Sequence, residues 1–166
     1  FIQEKAFKTQ IAIARNMNLP VVWHMRNATV KTLQILRDER IEELGGAAHY
    51  FLGTETEARQ VIDMGCKISL AKPLLRIDML QVVAKNIPLS SIVLETDAYP
   101  QPFKKKRENW TEPKDIPIVA GKLDELRGID LEEVMSVTTQ NALDMLGKGK
   151  LAVEPAVRDK NNNLNS

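Results

Sequence analysis

The sequence predicts an α/β fold in which four parallel strands are covered by helices. Two observations carry that prediction. Short β-rich apolar runs alternate four times with stretches of three-and-four apolar spacing, and glycine or proline stands at most of the junctions. Parallel strands joined at this spacing are linked by right-handed crossovers, with the helices packed on the sheet.

Ala6, Phe7, Gln10, Ile11, Ala14 and Met17 recur at helical spacing and make the first element an amphipathic helix. Asn18-Leu19-Pro20 stops it, because Pro20 lacks a donor and biases Leu19 away from helical geometry. Val21-Val22-Trp23-His24 is the first strand. A second helix is expected from Ala28 to Leu44, with Val30, Leu33, Leu36 and Ile41 inward and Gly45-Gly46 as its terminator. Ala47-Ala48-His49-Tyr50-Phe51 is the second strand. Thr54-Glu55-Thr56-Glu57 has the spacing of a capping box and starts a helix with Ala58, Val61 and Ile62 buried, closed by Gly65. Cys66 to Leu70 is the third strand, and Ile77, Leu80, Val83, Ala84 and Ile87 mark a helix ended by Pro88. Ser91 to Glu95 is the fourth strand, running into Thr96-Asp97. Beyond a polar loop, Ile116, Val119, Leu123 and Leu126 mark one helix, and Leu131, Val134, Val137 and Met145 trace the last, started at Asp130.

At 166 residues, with 43% hydrophobic and 27% charged, the chain alone corresponds to one domain with a sizeable core, and disorder is excluded as its general state. Lys and Arg number 23 against 22 Asp and Glu, so any nucleic-acid site must come from local clustering of charge. The single cysteine, Cys66, excludes an internal disulfide and fits a reducing compartment, which makes a cytoplasmic location the expectation. As the opening of a buried strand it is expected to be an inert thiol. No apolar run approaches a membrane span, and no P-loop or GxGxxG pattern occurs, which argues against nucleotide-driven chemistry. Periodicity is lost after Gly147, so residues 148–166 are expected to form a flexible tail.

His24, His49 and Asp97 fall at or near the C-terminal ends of strands one, two and four, where parallel α/β sheets collect their active groups. Imidazole and carboxylate are ligands that Zn²⁺, Mn²⁺ and similar ions accept, and three suffice for one open catalytic ion. Each residue taken singly also suits a structural role, the histidines in the core and Asp97 in a turn. Their joint placement favours a metal site. Glu95 shares the side of Asp97 by strand alternation. A two-metal phosphodiesterase site needs more ligands than these, so the chain by itself presents an incomplete one.

Three segments resemble one family. Leu19-Pro20-Val21-Val22-Trp23-His24-Met25-Arg26-Asn27-Ala28 resembles the "lPvviHxRxA" segment of TatD-type metal-dependent hydrolases. Ala48-His49-Tyr50-Phe51-Leu52-Gly53 is similar to that family's "HxFxG" segment, and Val93-Leu94-Glu95-Thr96-Asp97-Ala98 to its "LETDAP" signature. Trp110-Thr111-Glu112-Pro113 lies where the family carries an Asn-Glu-Pro-like element, and Asn141 falls in its closing helix. The resemblance runs from Gln3 to about Leu146. It implies a TIM-type (β/α)₈ barrel with two divalent ions, Mg, Mn or Zn, that cleaves DNA. On this alignment His24 and His49 bind one ion and Asp97 the other, and Asp97 accepts a proton from the attacking water. The family's His-x-His pair and the Glu of its "GEIGLD" segment occur nowhere in this sequence. The chain therefore reads as the C-terminal half of the barrel, strands five to eight, with residues 1–147 as a partial hydrolase domain.

Arg26, two residues past His24, is placed to hold a substrate phosphate, or equally to pair with Glu95 or Asp97. Lys104, Lys105, Lys106 and Arg107, flanked by Phe103 and Trp110, follow the last strand and suit a nucleic-acid backbone, although a charge run also suits plain solvated surface. Lys72 is a further cation after the third strand. Three functions follow: a DNA phosphodiesterase that could extend to RNA; a metal-dependent hydrolase of another ester or amide, such as an aminoacyl ester on tRNA; or a half barrel without activity. The last would close by self-association or by pairing with a missing N-terminal half, since a half barrel leaves two sheet edges unpaired.

Overall fold

Helix α1 (Ile2–Met17) turns through Asn18, at φ 52°, and Pro20 into strand β1 (Val21–His24). There follow α2 (Thr29–Asp38), β2 (Gly46–His49), α3 (Glu55–Asp63), β3 (Lys67–Leu70), α4 (Asp78–Asn86), β4 (Ile92–Leu94), α5 (Ile116–Arg127) and α6 (Leu131–Leu146). This computed structural model describes residues 2–99 and 111–147; Lys104, Lys105, Lys106 and Arg107 and the expected tail at 148–166 lie outside the described residues.

The sheet is parallel throughout, in the order β1-β2-β3-β4, so each crossover moves the chain one strand along. Alternation turns Trp23, Ala48, Ile68, Leu70 and Ile92 to one face, where they pack with Leu33, Leu36, Val61, Leu80, Val83 and Leu123 of the helices. Each isoleucine, leucine or valine buried in full here contributes about 1.5–3 kcal/mol, so this layer holds the strands in register. The other face carries Val22, Ala47, Ser69 and Val93 and leads to the residues at the strand ends.

Local chemistry sets the element ends. Thr54 and Glu57 form the reciprocal capping box, with the Thr54 N–H donating to Glu57 Oε2 at 2.7 Å and the Glu57 N–H to Thr54 Oγ1 at 3.3 Å. Gly46 opens β2 at φ 145°, and a Cβ there would stand 1.8 Å from the Val21 carbonyl oxygen. Asn141 of α6 donates to the carbonyls of Leu89 at 2.8 Å and Ile92 at 2.7 Å, which anchors the last helix on the start of β4.

The second helix is shorter than its apolar spacing predicts. It ends at Asp38, Arg40 takes a left-handed φ of 51°, and a 3-10 turn covers Ile41–Glu43. The reason is tertiary. Arg15 of α1 donates to the Glu39 carbonyl and to the Glu43 carboxylate, satisfying groups at the break, and Arg40 pairs with Glu43 at 2.6 Å.

Strand β1 forms one edge of the sheet, with Val22 57% exposed. A groove of about 700 Å³ runs along it, lined among others by Phe7, Val22, Trp23 and Ile35. Trp23 is only 4% exposed, and its Nε1–H has no partner among the described residues. Among the described residues no helix is long and apolar enough to cross a membrane.

Candidate active site

His24 ends β1 and His49 ends β2, and the strand register sets them opposite each other. Their ring centroids are 5.7 Å apart with the planes inclined at 57°. Directly after His49 the chain turns through Tyr50 at φ 48°, a left-handed conformation that costs a non-glycine residue about 1–2 kcal/mol. That turn aims the Tyr50 N–H at Glu95 Oε1, 2.7 Å away. The second oxygen of the same carboxylate, Oε2, lies 2.7 Å from His49 Nδ1.

Glu95 continues the ladder past β4, its own N–H donating to the Leu70 carbonyl at 3.0 Å. Its side chain therefore reaches over the end of β3 to hold the end of β2. An ionised carboxylate only accepts, so in a neutral ring this contact favours the proton on Nδ1 and the lone pair on Nε2. Nε2 faces Asp97 Oδ1 at 3.6 Å. Asp97 adopts φ 48°, a conformation Asp tolerates better than most residues, and its side chain is half exposed.

Two acceptors facing each other at that separation suit cations bound beside them, since neither can donate to the other. The donor chemistry thus fits divalent ions at His49, with His24 alongside, and at Asp97. Among the described residues no three His, Cys, Asp or Glu side chains converge to hold an ion, so this is a corner of a site and not a closed shell.

Arg26 lies past the end of β1, where it lines both the β1 groove and a cavity of about 400 Å³ that also includes Asn27, His49, Tyr50 and Leu52. Of its two expected uses, the ion pair with Glu95 or Asp97 does not form among the described residues, and the Glu95 carboxylate is taken by His49 and Tyr50. Lys72 is not a free cation at the strand ends: its Nζ is 2.6 Å from Asp115 Oδ2. That contact, with the Glu112 N–H, holds the Asp115 carboxyl below the usual range. Cys66 is buried, and desolvation pushes its thiol up to about 12, the inert thiol the sequence predicts. A separate groove along α1, lined by Glu4, Lys5, Lys8 and Glu39, lacks the histidines and carboxylates of the strand ends.

The bridging role of Glu95 was not legible from residue types alone. Its spacing two residues before Asp97 signals a shared face, but its partners come from β2, which only the fold brings near.

Imidazoles and carboxylates gathered at the C-terminal ends of parallel strands are the marks of a metal-dependent hydrolase. The chain belongs to the TatD related DNase family, whose model matches residues 2–147. It is 36% identical over 146 residues to the uncharacterized metal-dependent hydrolase YabD of Bacillus subtilis, an alignment covering 85% of this chain and 56% of YabD. It is 35% identical over 146 residues to human deoxyribonuclease TATDN3, covering 88% and 52% respectively. The fold superposes on the crystal structure of YJJV, a TatD homolog from Escherichia coli, with a TM-score of 0.73 at 26% identity, over 82% of this chain and 53% of that one. A TatD family hydrolase from Entamoeba histolytica gives the same TM-score at 22% identity, over 85% and 55%, and shows the shared fold. The chain spans about half the length of the curated relatives it matches.

Proposed function

We propose that this chain supplies strands five to eight of a (β/α)₈ barrel whose complete site cleaves DNA phosphodiester bonds with divalent metal ions. Residues 1–147 form the hydrolase part, in a cytoplasmic protein. The observation that carries the reading is His49 Nε2 facing Asp97 Oδ1 at 3.6 Å, with Nδ1 already engaged by Glu95.

His24 and His49 would hold one ion and Asp97 a second. Such ions, when bound, supply positive charge that polarises a phosphodiester and acidifies water. Asp97, whose side chain is half exposed, would take the proton from an attacking water. Arg26 offers a guanidinium fork to a phosphate, and Lys104, Lys105, Lys106 and Arg107 add a basic segment for the strand backbone.

The test is cleavage of DNA, RNA and aminoacyl-ester substrates by the full-length protein, with and without chelator. Chelator-sensitive DNA cleavage that falls with metal content in His24→Ala and His49→Ala is expected. Unchanged metal content in both variants, or turnover of esters alone, would overturn the reading.

A further inference from the structure

Glu95 is not needed as a ligand in the reading above, yet both of its carboxylate oxygens are engaged at the strand ends. Each carboxylate oxygen takes one donor at 2.7 Å, His49 Nδ1 on Oε2 and the Tyr50 N–H on Oε1. The two donors come from consecutive residues of β2 and the turn that follows it, and the acceptor from beyond β4, so the contact spans the intervening strand. Its side chain is 19% exposed, which shields both hydrogen bonds from competing water.

We propose that Glu95 is a positioning residue, a two-oxygen clamp that fixes His49 as the Nδ1–H tautomer and holds the left-handed turn at Tyr50, so that Nε2 is presented to Asp97. The requirement is for a carboxylate specifically. Glutamine matches the shape, but it offers one acceptor where two donors point. Its amide nitrogen would meet either the Tyr50 N–H or the imidazole N–H, donor against donor. Aspartate keeps both acceptors but is one methylene shorter and cannot span to both. The consequence for metal affinity rests on the proposed ligand role of His49; the tautomer does not.

The experiment is nitrogen-15 NMR of the imidazoles in the metal-free chain, at a pH where both are neutral. The chain has only two histidines, so His24→Asn assigns the remaining signal. The expected result is a His49 ring in the Nδ1–H form, shifting toward the Nε2–H form in Glu95→Gln and Glu95→Asp. Zinc affinity in both variants should fall on the order of 10–100-fold. A wild-type His49 carrying its proton on Nε2 would overturn the clamp without any variant having to fold. A tautomer unmoved by either substitution would overturn it as well. A shifted tautomer with unchanged zinc affinity would support the clamp and overturn the ligand role of His49, so the two failures are distinguishable.

Discussion

Lys72 and Asp115 form an ion pair at 2.6 Å that joins the turn after β3 to the entrance of α5, across a loop of the chain that includes β4. Asp115 is 6% exposed and also accepts the Glu112 N–H at 2.8 Å, so one carboxylate both caps a turn and neutralises a lysine. The pair fixes the 3-10 turn at Pro113–Asp115 against the turn after β3.

An acid-dependent stability difference follows from it. The Asp115 carboxyl is lowered by Lys72 first and the Glu112 N–H second, so the folded chain stays ionised where the unfolded chain takes up a proton. Its contribution is complete above the ordinary value of 3.8 and is lost as pH falls through the lowered one. Lys72→Met is expected to destabilise the chain at neutral pH, with the gap to wild type closing on acidification. Urea melts at pH 7 and at pH 3 measure it; a gap that does not narrow would exclude the pair as its source.

Gly46 admits no side chain. At φ 145° a Cβ would enter the Val21 carbonyl, and the strain would fall on the first pairing between β1 and β2. Gly46→Ala is expected to cost at least ~3 kcal/mol, whereas Gly45→Ala, where a Cβ meets nothing within 4 Å, costs only the strain of its φ of 71°. Chemical denaturation of the two variants side by side separates them; equal losses would exclude the clash.

Cys66 is expected to resist alkylation in the native chain. It is 2% exposed, and burial followed by the nearby Glu42 charge raises its thiol from 9.0 to about 12. Between those values the folded chain keeps a proton that the unfolded chain releases, so stability declines as pH rises through that window. Iodoacetamide should label the native protein at least ~100-fold more slowly than the urea-unfolded protein at pH 8. Equal rates would place the thiol at the surface.

The strands and most helices were legible because their signals are local. Pro20 separates α1 from β1, the Thr54–Glu57 box starts α3, and Gly65 at φ 70° closes it. The break of α2 was not, because Arg40 carries no turn chemistry of its own and the stabilising guanidinium belongs to Arg15, 25 residues earlier. The site divides the same way. His24, His49 and Asp97 could be placed at strand ends by alternation, since the strand limits themselves were readable. The pairing of Glu95 with His49, and of Lys72 with Asp115, joins residues more than 40 positions apart and required the sheet order.

The chain holds two tryptophans, and Trp23 immediately precedes His24 on the edge strand. Its indole is enclosed but its N–H is unpartnered among the described residues, a state whose emission is sensitive to any new acceptor or packing partner. With Trp110→Phe the remaining fluorophore becomes a built-in optical gauge of what lies against β1. A strand arriving at that edge would register as a spectral shift in the protein itself, with no label added.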